Sequence, residues 1–191
     1  EAPNNKEGEI TPKQIFGYFY SVLNAPSYRT RYKEFLKRDF PKLPLVKNLK
    51  IFHLLSALGN ELTNIHLMES SNLDQQLTPF IGTDSSQIEK VSYSDQTVWI
   101  DMAKTQGFKG VPEEVWNYQI GGYQVCEKWL KDRQAKGGKN PRPGVVLTNE
   151  DIEHYQKIIV AISETIRIMS EIDEVIENST LEKPSSGIKK K

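Results

Sequence analysis

Apolar residues first recur at helical spacing just after Thr11-Pro12, which supplies an N-cap and a proline for a first turn. Ile15, Phe16, Phe19, Val22 and Leu23 predict that helix and its buried face. Asn24-Ala25-Pro26 ends it, and Pro26 opens a second helix carrying Tyr28, Tyr32, Phe35 and Leu36. Pro41-Lys42-Leu43-Pro44 must be extended, because proline removes a donor and restricts its predecessor. A long third helix follows, with Ile51, Leu54, Leu55, Leu58, Leu62 and Ile65 on one face.

Residues 70–86 are polar and read as a loop. Beyond them IEKVSY and TVWIDM alternate around Ser94-Asp95-Gln96, predicting a β-hairpin over 87–102. Pro112 opens a short helix over Glu113–Tyr118; Gly121-Gly122 is a turn, and another helix covers Gln124–Arg133. QAKGGKNPRPG reads as a mobile basic loop. Thr148-Asn149-Glu150-Asp151 caps a last helix whose seam is Tyr155, Ile159, Ile162, Ile166 and Met169. The expected fold is α+β and mainly α: helical groups around a small antiparallel hairpin, with a long C-terminal helix. Its lobes cover about 11–70 and 87–177, between a disordered lead (1–10) and a disordered tail (178–191).

Composition narrows the class. A chain of 191 residues, 37% hydrophobic and 26% charged, is long enough for a real core and ordinary for a globular protein. No apolar run approaches the ~20 residues of a membrane span, so no membrane partner is expected. The opening EAPNNKEGEI has no signal-peptide pattern, and its lack of Met reads as a fragment, or equally as a processed start. A single cysteine, Cys126, leaves no internal disulfide and fits a cytoplasmic location.

Charge is balanced overall but not along the chain. Residues 26–50 carry eight Lys or Arg against two acids, net +6, and residues 148–182 carry nine acids against two bases, net −7. One end suits a polyanion and the other a protein neighbour or water; two oppositely charged solvated faces would look the same.

Catalytic chemistry is not visible. There is no glycine-rich phosphate loop and no Gly-x-Ser-x-Gly elbow. His53 and His66 lie thirteen residues apart on one helix, a spacing for packing rather than for paired metal ligands. The acids of the last helix read as a solvated face rather than a carboxylate dyad. The expectation is a binding or structural module with no catalytic site, no metal and no enzyme activity of its own.

Two stretches are more specific. YFYSVLNAPSYRTRYKEFLKRDFPKLPL runs on into NLKIFHLLSALGNELTNIHLME, and GFKGVPEEVWNYQIGGYQVCEKWLKDR is closed by LTNEDIEHYQKIIVAISETIRIMSEID. From about Ile10 to Ile176 the chain resembles the C-terminal specificity (target-recognition) region of type ISP restriction–modification enzymes and related adenine-specific DNA methyltransferases. That resemblance implies a double-stranded DNA partner, and cis partners in the methyltransferase and motor domains of one polypeptide. It places the S-adenosylmethionine site and the Asn-Pro-Pro-Tyr motif in the parent chain, with no cofactor here. In one respect the chain departs from the family: QAKGGKNPRPGVV stands where a short turn usually joins Lys-Asp-Arg to the last helix.

The candidate contacts have the chemistry for this. Arg29, Arg31, Lys33, Lys37 and Arg38 form a cationic strip suited to phosphate, with Lys131 and Arg133 as a second basic group. Gly121 and Gly122, before a helix start, can bring bare amides to a phosphate, or simply make a tight turn. Asn117, Gln119 and Gln124 carry the amide that pairs with an adenine edge. Trp116, Tyr123 and Trp129 read as core, and Tyr20, Tyr28 and Tyr32 suit the same role. The competing reading is a protein-interaction or scaffold domain that docks the methyltransferase or motor with little DNA contact.

Overall fold

In the computed structural model, which describes residues 10–44, 46–74, 78–83, 86–139 and 141–179, Thr11 caps the first helix as its sequence requires. Its hydroxyl accepts from the Gln14 amide at 3.2 Å, and the Gln14 side chain accepts from the Thr11 amide at 2.8 Å. This helix, α1 (Pro12–Asn24), is followed by α2 (Pro26–Arg31) and α3 (Lys33–Leu36), which break at Tyr32 what the sequence predicts as one helix. Asn48 caps α4 (Leu49–His66) through a 2.9 Å bond from the Lys50 amide.

The buried face of α1 differs from the predicted one. Gly17, Tyr18, Ser21 and Val22 are buried, while Ile15, Phe16 and Phe19 are 41%, 52% and 43% exposed. The cause is a backbone-to-backbone crossing with α4. A methyl built on Gly59 overlaps the Gly17 carbonyl, and one built on Gly17 overlaps the Ser56 carbonyl. Small residues thus set the interaxial distance, and the larger apolar residues of α1 are left outside the contact. Ser56 seals the crossing by donating to the Gln14 carbonyl at 2.7 Å. On α4 the buried stripe is Phe52, Leu55, Leu58, Leu62 and Ile65, with Leu54 49% exposed rather than on the core face.

The chain divides into two units: the described residues up to Ser70 with those from Glu164 on, and Ser71–Ser163. These bounds differ from lobes of 11–70 and 87–177, because α7 (Asn149–Asn178) contributes its first half to one unit and its second half to the other. The seam shifts accordingly. Ile152, Tyr155, Ile159 and Ile162 are buried, but the stripe then passes through Thr165, Ile168 and Ile172, leaving Ile166 and Met169 half-buried. Residues 1–9 and 180–191, where a disordered lead and most of a disordered tail are expected, lie outside the described residues.

In the first unit the acids of α7 are not merely a solvated face. Asp173 accepts from the Ser27 amide (3.1 and 3.0 Å) and hydroxyl (2.6 Å), capping α2 with a charge at its positive end. Arg167 binds Glu164, Glu171 and Glu61 of α4 at 2.8, 2.5 and 2.9 Å. His66 packs as expected, its two ring nitrogens 2.7 Å from the Tyr20 hydroxyl and 3.2 Å from that of Thr165, and burial lowers its pKa.

The second unit holds the sheet. The expected loop at 70–86 contains a 3-10 turn (Ser71–Asp74) and strands β1 (Phe80–Ile81) and β2 (Ser86–Gln87); residues 75–77 and 84–85 lie outside the described residues. The predicted hairpin is β3 (Ser92–Ser94) with β4 (Thr97–Trp99), turning at Asp95 and Gln96, both at positive φ. It is extended by β5 (Gly107–Lys109) into an antiparallel sheet ordered β1-β5-β4-β3. The fold is therefore α+β, mainly α. Further on come α5 (Glu113–Trp116), β6 (Gln119–Ile120), β7 (Tyr123–Gln124), α6 (Val125–Lys131) and β8 (Val146–Leu147), which pairs with β2. Phe108 and Tyr155 centre the core with rings 4.4 Å apart, and the Tyr155 hydroxyl donates to the Cys126 carbonyl. Burial pushes the Cys126 thiol up to about 12.

Two outcomes test this packing. Gly59→Ala should lower unfolding stability by about 3 kcal/mol in urea titration, since overpacking at backbone contact has no side chain to yield; a loss within error would overturn the crossing. Asp101, buried at the start of the β4–β5 loop, accepts from the Thr105 amide and hydroxyl and the Gln106 amide at 2.7–3.0 Å. Burial alone would raise its pKa, but these donors outweigh it and hold the carboxyl below the ordinary 3.8. Its contribution is thus full above 3.8 and lost as the pH falls below it, whereas Asp101→Asn should remove that segment of acid sensitivity from the melting profile.

Candidate nucleic-acid interface

The cationic strip lies on α2, α3 and the segment after them. Arg29, Arg31, Lys33, Lys37 and Arg38 are all exposed. Lys37 pairs with Glu34 at 2.7 Å; among the described residues the other four reach no acid. The segment that continues the strip is fastened from beneath. The Tyr28 hydroxyl donates to the Lys42 carbonyl at 2.9 Å, and that of Tyr18 to the Pro44 carbonyl at 2.5 Å. Burial pushes the Tyr18 phenol up to about 12, so it remains a donor at any physiological pH. Tyr28 is core, as read, while Tyr20 and Tyr32 are half-buried.

In the second unit the geometry around the two glycines is more particular than a turn before a helix. Gly121 and Gly122, at φ +59° and +83°, form the two-residue turn of a hairpin in which Gln119 opposes Gln124 and Ile120 opposes Tyr123. A strand therefore separates the glycines from α6, and their amides are not at its N-terminus. The sequence IGGY, with a polar residue on either side, carried the signal, because Gly-Gly supplies two positive φ angles.

The candidate amides separate here. Gln119 and Asn117 are exposed. Gln124 is half-buried, and its side-chain nitrogen donates to the Trp116 carbonyl, so it serves to hold the hairpin against α5. Trp116 itself is buried and stacks on Tyr93 at 5.2 Å, as core. Tyr123 is not core: it is 62% exposed, with the Lys128 ammonium 5.8 Å from its ring. Trp129 is half-buried under the Arg133 guanidinium, 3.5 Å from its centre.

Lys131 and Arg133 are less free than the strip. Lys131 pairs with Glu127 at 2.8 Å, and Arg133 lies 3.6 Å from Asp151. The basic excursion after them is tied at several points. Lys136 and Arg142 exchange two backbone bonds of 2.9 and 2.8 Å, and the Arg142 guanidinium donates to the Lys131 carbonyl at 3.0 Å. Among the described residues no group of three or more His, Cys, Asp or Glu is arranged to hold a metal, and no helix is long and apolar enough to cross a membrane.

If Gln124 is structural and Gln119 is not, Gln124→Ala should lower the melting temperature by several degrees, the cost of an orphaned buried carbonyl being about 1–3 kcal/mol. Gln119→Ala should leave it unchanged in the same calorimetric scan; equal effects would refute the division.

Comparison with known proteins agrees with the fold. No curated protein matches. Among solved structures, a nuclease-deletion mutant of the type ISP restriction–modification enzyme LlaGI in complex with a DNA substrate mimic is 22% identical over 91% of the chain, with a TM-score of 0.61. ATP-dependent type ISP enzyme LlaBIII bound to DNA is 19% identical over 92% (TM-score 0.60), and the DrdV–DNA complex 20% identical over 91% (TM-score 0.57). The chain spans 14%, 12% and 18% of those three proteins' lengths. A family profile, the type ISP C-terminal specificity domain, matches residues 2–171. The chain belongs to the type ISP C-terminal specificity domain family.

Proposed function

We propose that this chain is a non-catalytic double-stranded DNA target-recognition module that works in cis with the methyltransferase and motor of a restriction–modification polypeptide. The observation that carries the reading is the exposed strip Arg29, Arg31, Lys33 and Arg38, four cations that reach no acid among the described residues. A surface that keeps four guanidinium or ammonium groups unneutralised on one short stretch is suited to a polyanion. Family membership supports the same reading, as do three structurally similar proteins whose structures are DNA complexes. The division of labour follows from chemistry. The strip meets phosphates without regard to sequence, while Gln119 and Asn117 offer amides to base edges. S-adenosylmethionine, on this reading, binds elsewhere in the polypeptide, and this chain gives no calorimetric signal with it.

The scaffold reading has one observation in its favour: Ile15, Phe16 and Phe19 are exposed along α1, an apolar face of the kind that docks another domain. A single titration separates the two. Binding of mixed-sequence duplex should weaken steeply between low and physiological salt, and Arg31→Ala with Arg38→Ala should flatten the slope of log affinity on log salt by about one unit per contact. A chain that binds no duplex even at low salt would leave the α1 face as its working surface and defeat the DNA reading.

A further inference from the structure

The tip of the β6–β7 hairpin combines features that base reading by amides does not require. Ile120 and Tyr123 oppose each other across the ribbon, so both side chains stand on one face. They are 60% and 62% exposed, in a unit whose other large apolar side chains mostly fill a core. Between them Gly121 and Gly122 have open space where any side chain would be, with nothing within 4 Å. The result is a thin apolar edge with no bulk at its point.

Its base, by contrast, is firmly held. Gln124 donates to the Trp116 carbonyl, the Val125 amide donates to the Tyr118 carbonyl at 3.2 Å, and Trp116 is buried against Tyr93. Lys128 on α6 sits by the Tyr123 ring while pairing with Asp132, and residues 127–142 carry six Lys or Arg against Glu127 and Asp132, net +4. An apolar edge with an ammonium beside it, on a stretch that stays net positive in sequence, matches a nucleic-acid duplex, which stacks apolar base faces between two rows of phosphates. A wholly apolar protein groove would find no use for the charge.

We propose that the hairpin tip is a wedge that lodges Ile120 and Tyr123 at a base step and holds it partly unstacked, independently of sequence. A two-stranded ribbon is thin enough to enter a groove of the duplex, and apolar side chains driven between base steps, chiefly from the minor groove, are a recurrent means of kinking it. Sequence is then read by neighbouring groups on a duplex that the wedge has opened. This inference rests on the DNA-recognition reading above and adds a deformation to it.

Unstacking unwinds DNA, which can be measured without knowing the target. Nicked plasmid is sealed by ligase in the presence of the full polypeptide carrying this domain, and the linking number is read on a gel; permanganate, which oxidises unstacked thymines, is used on the same complexes. Wild type should shift the linking number and create reactive thymines. The Ile120→Ala/Tyr123→Ala double variant should lose both and bind about tenfold more weakly, as for loss of a stacking contact. Its salt slope should be unchanged, since an apolar contact releases no counterion. Tyr123→Phe should retain the wild-type shift. If the double variant fails to melt cooperatively, the two single variants are read in its place. Wild-type protein that binds plasmid without unwinding it, or variants that unwind as much as wild type, would overturn the wedge and leave the recognition reading intact. Protein that does not bind plasmid at low salt would defeat the recognition reading itself.

Discussion

The first unit depends on one close approach, the crossing of α1 and α4 at Gly17 and Gly59. Each glycine lies against backbone of the other helix, so the separation is fixed by main-chain atoms rather than by interdigitated side chains. That contact places Tyr18 of α1, whose hydroxyl grips the Pro44 carbonyl. Tyr28, one turn into α2, grips Lys42 in the same manner. Two phenols therefore suspend the extended segment that follows the cationic strip, and one of them, Tyr18, is set by a helix pair with no tolerance at its centre. The strip is short and irregular, with α2 and α3 of six and four residues. Isolated helices of that length are not stable. Its shape is inherited from the glycine crossing, from Asp173 capping α2, and from the proline-rich segment behind it.

The same crossing explains where the sequence was legible and where it was not. Helix positions could be read from Thr11-Pro12, Asn24-Ala25-Pro26 and Thr148, because caps and breakers act locally. The buried face of α1 could not, because periodicity weighs large apolar residues and gives Gly17 and Ser21 no weight. Ile15, Phe16 and Phe19 dominate the pattern yet face out. The seam of α7 failed more gently. A four–three repeat follows one partner, but this helix changes partner near Glu164, and Ile168 and Ile172 replace Ile166 and Met169. Tertiary context decided both.

At the candidate interface the residue types were legible and their roles were not. Gln119 and Gln124 look equivalent in sequence, symmetrically placed about Gly121-Gly122, and the ribbon register does make them opposite partners. What separates them is a single acceptor, the Trp116 carbonyl, that only the folded chain brings to Gln124. The acids of α7 show the converse. Asp173, Glu164 and Glu171 read as surface charge, yet they cap a helix and, together with Glu61 of α4, neutralise a guanidinium. Their negative charge is partly consumed inside the unit, whereas the positive charge of Arg29, Arg31, Lys33 and Arg38 is tied to no acid among the described residues.

That asymmetry bears on how such a domain would divide affinity from specificity. Cations tied to acids, such as Lys131 with Glu127, gain little from a phosphate, because one ion pair must be broken to form the other. Untied cations gain the whole counterion-release term. Affinity for DNA would thus be concentrated in the strip of the first unit. On that reading the second unit, with its tethered ribbon and exposed amide, would contribute contacts that depend on geometry. Geometric contacts discriminate only when they are rigid, since a side chain free to rearrange can accommodate the wrong base at little cost. The hairpin meets that condition through Gln124, which holds its base to α5, and through the Val125 amide, which closes that base on Tyr118, leaving Gln119 and the tip in solvent. Loss of Gln124 would therefore blur recognition without removing any group that touches a base, and a residue excluded from the reading surface can still decide what that surface reads.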